Sequence, residues 1–278
     1  IARSISMGLA RNATCGRVNG KVVDLRTKID EDSSLEILTF DSDEDGKKAY
    51  WHTTSHIMAQ AIKRIYGDKV KLAIGPAIEN GFYYDFDSDE VHFSNDDFEK
   101  IEEEMNKIIK ENIPIERYEL SRDEAIKFEK DQGEDYKVEL IEELPEGEVI
   151  SFYKQGDFTD LCAGPHLMST GDVKIVKLLS VAGAYWKGNE NNKMLQRIYA
   201  ISFPKKSMLD EYLAQVEEAK ERDHRKIGKE MELFMSDDLV GRGLPMYLPN
   251  GYIIWQELED YIKEKERKLG YLHVLTPC

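Results

Sequence analysis

The chain predicts an α+β fold in which helices lie on antiparallel sheet, and three observations carry that prediction. Apolar residues at helical spacing alternate irregularly with short strand-like runs, without the regular βαβ succession of a parallel sheet. Turn dipeptides such as Asn19-Gly20, Gly75-Pro76 and Asn80-Gly81 separate neighbouring strand-like runs. Ser121-Arg122-Asp123-Glu124 is a capping box that opens a helix between two such regions.

Taken in order, residues 1–41 start with a short helix. A hairpin follows, with Asn19-Gly20 joining Arg17-Val18 to Lys21-Val22-Val23, and then a strand at residues 35–40. The acidic turn at residues 41–46 is the expected boundary. In residues 51–66, Ile57, Ala61 and Ile65 recur at helical spacing with no Gly or Pro before Gly67, so this run reads as a helix. Residues 69–86 alternate strands with turns, and residues 96–111 form an acidic helix. After the helix begun by Ser121, residues 136–140, 149–153, 175–180 and 194–203 read as strands. Residues 205–234 lack Pro and keep Leu209, Leu213, Val216 and Ala219 on one face, which predicts one long connecting helix. A last helix at residues 253–269 leads into an apolar stretch at 271–275.

Composition narrows the function classes. The 278 residues suggest about two domains, and 41% hydrophobic content suffices for real cores. No apolar run approaches the roughly 20 residues of a membrane span, and the opening residues lack a secretory pattern. Cys15, Cys162 and Cys278 make no even disulfide framework, so a reducing cytoplasm is the expected home. A first residue of Ile implies a fragment. The net charge of −16 argues against indiscriminate coating of nucleic acid. Residues 187–229 reverse the balance, with ten Lys and Arg against seven Asp and Glu, a net of +3. That window is either a local polyanion contact or a solvated helix of mixed charge.

Two signatures carry chemistry. His52 and His56, at i and i+4 on the predicted helix, project from one face. Cys162 and His166 flank Gly164-Pro165, which no helix interior accommodates, so they are loop residues, with Asp157, Thr159 and Asp160 close in sequence. Alone, the His pair is more often an ordinary hydrogen-bonding pair and Cys162 a small buried hydrophobe. Together they offer four donors that suit tetrahedral zinc, or a base and nucleophile cluster without metal, and the residues leave both open. His92, His224 and His273 have no comparable neighbours.

The order His52-x-x-x-His56, Ala73-Ile-Gly-Pro76, Asn80-Gly-Phe-Tyr-Tyr-Asp85, Asp160-Leu-Cys-Ala-Gly-Pro-His166, Arg222-Asp-His-Arg-Lys-Ile-Gly-Lys229 and Gly270-Tyr-Leu-His-Val-Leu-Thr-Pro277 resembles the threonyl-tRNA synthetase family of the bacterial type, along the whole chain. The resemblance implies a partial TGS domain of ubiquitin-like β-grasp fold at residues 1–42, without its first strand. It further implies an editing domain at 43–204, a linker helix at 205–234, and at 235–278 the start of a class II synthetase core with its first motif. The parent enzymes ligate threonine to its tRNA in the cytoplasm. Their ATP, Mg and core zinc belong to a catalytic region absent from this sequence, so no aminoacylation is expected of this stretch. The expected activity is hydrolysis of serine misattached to threonine tRNA, because one methyl distinguishes the amino acids by only ~1–3 kcal/mol and a second sieve is needed.

Within that resemblance His52, Lys137, Cys162 and His166 are the expected catalytic residues, and His56, Tyr84 and Asp160 bind substrate. His52 would handle a proton of the ribose hydroxyl or of the attacking water, Lys137 would polarise water or the oxyanion, and Asp160 would accept the substrate ammonium. The family works here without metal; if zinc binds, its ligands are His52, His56, Cys162 and His166. The expected partner is threonine tRNA, no membrane is expected, and a homodimer is expected of the full enzyme through the first core motif. Two alternatives are a zinc-dependent alanyl-type trans-editing hydrolase and a non-catalytic tRNA or RNA-binding module.

Overall fold

The computed structural model describes residues 1–241 and 243–274. Its contacts fall into two units, Ile1–Leu209 and Asp210–Cys278.

In the first unit, helices α1 (Ala2–Ile5) and α2 (Met7–Asn12) precede an antiparallel sheet of β1 (Ala13–Val18), β2 (Lys21–Val23) and β3 (Leu35–Thr39), ordered β2-β1-β3. Asn19 and Gly20 both take positive φ, 48° and 83°, the backbone that a two-residue hairpin turn requires. Helix α3 (Glu44–Tyr66) starts seven residues earlier than the apolar spacing indicated, inside the expected acidic turn. Asp43 caps it by accepting from the Asp45 N–H, and Arg17 of β1 bonds Asp43 and Asp45. Acidic side chains at a helix N-terminus are stabilising there, so the acidic cluster marks a helix start.

The chain continues through β4 (Lys71–Leu72), β5 (Ala77–Ile78), β6 (Gly81–Asp87), α4 (Phe98–Glu111), β7 (Ile115–Leu120), α5 (Arg122–Gln132), α6 (Asp135–Glu143), β8 (Ile150–Gln155), β9 (Phe158–Leu161), β10 (Ile175–Tyr185) and β11 (Met194–Phe203). One antiparallel sheet runs β10-β11-β6-β4, with β5 also paired to β6; another runs β7-β8-β9. Helix α3 packs on β6 and β11, and α4 packs on α3 and β10. Ile101, Met105, Ile108 and Ile109 of α4 form its buried stripe. The expected capping box is present, with Ser121 and Glu124 bonded reciprocally.

Residues 136–140 correct the sequence reading: they lie in helix α6, not in a strand. The alternation Tyr136-Lys137-Val138-Glu139-Leu140 mimics a strand, yet the residues that α6 buries are Lys137, Val138 and Ile141, at helical spacing. Residues 205–234 are corrected too. Helix α7 (Lys206–Glu221) ends before Asp223, whose carboxylate accepts from the Arg225 N–H and starts α8 (His224–Glu230). In the second unit β12 (Phe234–Met235) pairs with β13 (Met246–Tyr247), and α9 (Pro249–Lys268) begins with Pro in its first turn. Of the apolar stretch expected at 271–275, residues 271–274 are irregular and exposed, and 275 lies outside the described residues.

Helix α3 crosses the end of β3 at Gly46, where an added Cβ would stand 2.3 Å from the Thr39 carbonyl oxygen. Alanine normally stabilises a helix by roughly 1 kcal/mol over glycine. At this site Gly46→Ala should instead destabilise by about 2 kcal/mol, because the strand or the helix must shift. Thermal unfolding compares the two proteins; an unchanged or raised midpoint would show that β3 yields freely.

Candidate active site

The site forms where α3 meets the loop after β9. His52 and His56 do share one face of α3, with ring centroids 5.2 Å apart. The loop brings His166 to both, at 4.4 Å from His52 and 4.3 Å from His56. Cys162 Sγ lies 3.2 Å from His52 Nε2 and 3.1 Å from His166 Nε2, and accepts the Gly164 N–H at 3.2 Å. All four sequence-predicted donors therefore converge. The Gly164-Pro165 bond is cis, and Gly164 has φ 73°. A side chain at Gly164 would meet the Tyr153 hydroxyl at 2.1 Å, so the loop lies on Tyr153 in a way only glycine permits.

A hydrogen-bond count assigns the His166 tautomer. Thr53 Oγ1 donates its single proton to the Ala49 carbonyl at 2.9 Å and accepts the Leu167 N–H at 2.9 Å. Its 3.2 Å contact with His166 Nδ1 must then be donated by the ring. His166 Nε2 is left as an acceptor facing Cys162, which suits the thiol S–H as donor.

Behind the imidazoles lies a buried ionic triangle. Lys137 of α6 approaches Asp160 Oδ1 at 2.5 Å and donates to Tyr84 Oη at 3.0 Å; Tyr84 donates to Asp160 Oδ2 at 2.7 Å. His56 Nε2 stands 3.6 Å from Asp160 Oδ2. Lys137 and Asp160 are 3% and 2% exposed, so neither charge is solvated. A cavity of about 500 Å³ opens onto this pair, walled by Gln60, Leu72, Phe128, Glu129 and Phe158. Gly75 gives Tyr84 its place, since a Cβ there would stand 2.0 Å from the ring.

The electrostatics follow from burial. Burial, then the neighbouring His56, pushes His52 down to about 3, partly opposed by Asp160. Burial takes His56 down to about 4, against the pull of Asp160, and His166 well below the ordinary imidazole range. All three rings are neutral at pH 7. Burial pushes the Cys162 thiol up to about 12, which makes it a thiol there and no ready nucleophile. Burial also acts to raise Asp160, but Lys137 and His56 outweigh it and hold the carboxyl below its usual range.

The donor set fits zinc in chemistry and approximately in space. The four ligand atoms lie within 4.8 Å of one another, whereas ligands of a tetrahedral zinc are about 3.3–3.8 Å apart. Small movements would close the set around an ion, which would deprotonate Cys162 and replace its contacts with the rings.

Sequence reasoning missed Thr53, Tyr153, Asp24, Arg26 and Glu129. Thr53 at i+1 from His52 was the one local signal. Glu129 stands eight residues before Lys137 and Tyr153 thirteen before His166, whereas Arg26 and Asp24 reach His166 from 140 and 142 residues away. Glu129 of α5 is 3% exposed and is pushed up to about 8 by burial, with Lys137 opposing and Asp160 and Glu134 adding. The folded state therefore binds a proton that the unfolded chain, with an ordinary value of 4.5, releases earlier. That contribution to stability is full below about pH 4.5 and is lost as pH rises to about 8. Glu129→Gln should flatten this dependence and raise stability at pH 8 by on the order of 1–2 kcal/mol. Urea unfolding at pH 5 and pH 8 measures it, and parallel shifts in both proteins would mean that the carboxyl titrates normally.

Two family models match the chain: the TGS domain over residues 1–39, and the threonyl and alanyl tRNA synthetase second additional domain over residues 150–199. The second match runs from β8 to β11 and contains Asp160, Cys162 and His166. Threonine–tRNA ligases of Caldanaerobacter subterraneus subsp. tengcongensis, Acetivibrio thermocellus and Clostridium tetani are 67%, 62% and 60% identical to it. Each alignment covers 100% of this chain, and 42%, 43% and 43% of the respective relative, so the chain spans about two-fifths of their length. With TGS and editing-type sequence in that order and such identity from end to end, the chain belongs to the threonine–tRNA ligase family and corresponds to its N-terminal part.

Proposed function

We propose that this chain hydrolyses the ester of serine misattached to threonine tRNA, as the editing part of a ligase that charges this tRNA with threonine at the expense of ATP. One observation supports the reading above others. A buried Lys137–Asp160–Tyr84 network stands beside three neutral imidazoles and a thiol, next to a cavity. In this reading residues 1–42 are the TGS part, 43–204 the editing domain, 205–234 the linker, and 235–278 the start of the class II core. Threonine tRNA is the partner. The ATP, Mg and core zinc of ligation, and dimer formation, are assigned to the full-length enzyme. Among the described residues no helix is long and apolar enough to cross a membrane.

The chemistry is addition of water to the ester carbonyl, followed by departure of the ribose oxygen with a proton. His52 is partly open and offers a neutral ring to the ribose hydroxyl or the water. Its basicity is low in the free site and rises as negative charge develops beside it on the attacked ester. Lys137 faces that charge and stabilises it. Asp160 receives the seryl ammonium in exchange for part of its present pairing, with Tyr84 bordering the side-chain pocket. His56, Cys162 and His166 form the wall and orient water. Threonine is rejected by overlap of its extra methyl.

The convergence of His52, His56, Cys162 and His166 favours a second reading, a zinc-dependent hydrolase of the alanyl type, in which these residues would hold the ion and a water bound as a further ligand would be activated. Single-turnover release of serine and of threonine from threonine tRNA, with chelated protein and with added zinc, separates the readings. Chelated wild type should release serine and spare threonine. His52→Ala and Lys137→Ala should each slow release by about 100-fold. Activity only with zinc would select the metal hydrolase, and none in either condition a tRNA-binding module.

A further inference from the structure

The loop that carries Cys162 and His166 is held from outside the segment that matches the editing-type family. After β2 the chain presents Asp24 and Arg26. Arg26 Nη2 donates to the carbonyls of Leu167 at 2.7 Å and Met168 at 3.1 Å, and Nη1 to that of His166 at 3.4 Å. Asp24 lies 2.7 Å from the same guanidinium and accepts the Arg26 N–H at 2.9 Å. Its other oxygen accepts the His166 N–H at 3.4 Å and the Tyr153 hydroxyl at 3.2 Å. The amide and the carbonyl of His166 are thus both fixed by residues 140 or more positions away. Tyr153, held by Asp24, is also the ring on which Gly164 rests and lies 4.3 Å from the His166 ring.

We infer that Asp24 and Arg26 are positioning residues of the hydrolytic loop, so that the N-terminal TGS-type segment completes the editing site without touching substrate. The physical case is one of accounting for polar groups. Three consecutive carbonyls at 166–168 belong to no described strand or helix. Carbonyls left without donors in a half-buried loop favour rearrangement toward water. The Met168 carbonyl also accepts the Ile115 N–H at 3.0 Å, whereas Arg26 is the donor to the carbonyls of His166 and Leu167; its planar fork spans all three with little freedom, and Asp24 neutralises its charge, with side-chain exposures of 20% and 6%. The ring of His166 is fixed independently, by Thr53 of α3. Loss of the clamp therefore leaves the ring held only through Thr53 and Cys162 while its own amide and carbonyl are freed, and an error of about 1 Å in such a group lowers rate by roughly 100-fold.

The inference rests on the proposed hydrolysis, and its test has an arm that does not. In the full chain, Arg26→Gln should slow saturated single-turnover release of serine by roughly 10- to 100-fold with the half-saturating protein concentration unchanged, and Arg26→Lys should recover part of the loss. Asp24→Asn, nearly isosteric, should act in the same direction and guards against misfolding of the arginine variants. In parallel, nitrogen-15 imidazole spectra without tRNA should show His166 in its Nδ1–H form in wild type, and a mixture of tautomers or broadened signals in Arg26→Gln. Wild-type rates in Arg26→Gln and Asp24→Asn would overturn the inference, as would a loss confined to half-saturation, which would make Arg26 a substrate contact. If wild type itself released no serine, the hydrolase reading would fall, and the imidazole spectra alone would decide whether Arg26 positions His166.

Discussion

The buried polar side chains of α3 must all find partners inside the protein, and the rest of the site depends on how they do so. Tyr50 donates to the Phe203 carbonyl and Trp51 Nε1 to the Ser202 carbonyl, while Ser55 reaches the Gly75 carbonyl at 2.7 Å. Thr53 accepts the Leu167 N–H of the loop after β9, and Gln60 and Gln155 bond each other and close onto β8. An unmet bond of this kind costs about 1–3 kcal/mol, and the partners lie on β11, on β8, on the loop before β5 and on the loop after β9. Together they fix both the rotation and the depth of the helix. Hydroxyl and aromatic residues are middling helix formers, so α3 owes its stability to this setting more than to its own propensity. The same bonds that stabilise the helix therefore aim His52 and His56.

Lys137 and Asp160 are the opposite case, a pair that stability alone does not explain. Removing two charges from water is expensive, and apolar side chains of similar volume often serve a core as well or better. Here each charge has further hydrogen bonds, from Tyr84 to Asp160 and from Lys137 to Tyr84, which is what makes the buried pair tolerable. A cation kept dry beside a cavity is strongly felt by any charge that develops there. The location of the pair at the floor of the site, next to neutral rings, points to chemistry.

What the sequence disclosed follows the range of the forces involved. The Asn19-Gly20 turn and the Ser121 cap are local, set by backbone geometry within four residues, and both are found as expected. The His52/His56 face needed only helical periodicity. Family likeness pointed to Lys137, which the structure buries beside Asp160, but its helix was not legible, because five alternating residues carry too little periodic signal against the burial that decides α6. The break at Asp223 was hidden because no Pro marks it, and the start of α8 is set by a capping carboxylate that apolar periodicity does not show. Arg26 and Asp24 left no mark, since an arginine that caps carbonyls 140 residues away looks in sequence like any surface arginine.

The basic window at residues 187–229 acquires a different meaning once its partners are known. Lys187 faces Glu139 and Glu143, Lys193 faces Asp87 and Asp89, and Arg197 forms a two-pronged pair with Asp85. Lys220, Arg222, Arg225 and Lys226 pair with Glu217, Glu218, Asp223 and Glu221. Seven of the ten cations thus have a carboxylate beside them, and the excess of +3 in sequence does not make a bare positive patch. The pairs of Lys220, Arg222, Arg225 and Lys226 are exposed and worth only about 0–1 kcal/mol each, so a phosphate can displace the carboxylate there at little loss, whereas Arg197 is held by a buried Asp85. The carboxylate then remains nearby, and with the net charge of −16 it repels the same polyanion. In the proposed reading, recognition of an aminoacylated RNA end therefore comes chiefly from the fit and polarity of the neutral, buried site around Lys137, with the surface field contributing little attraction.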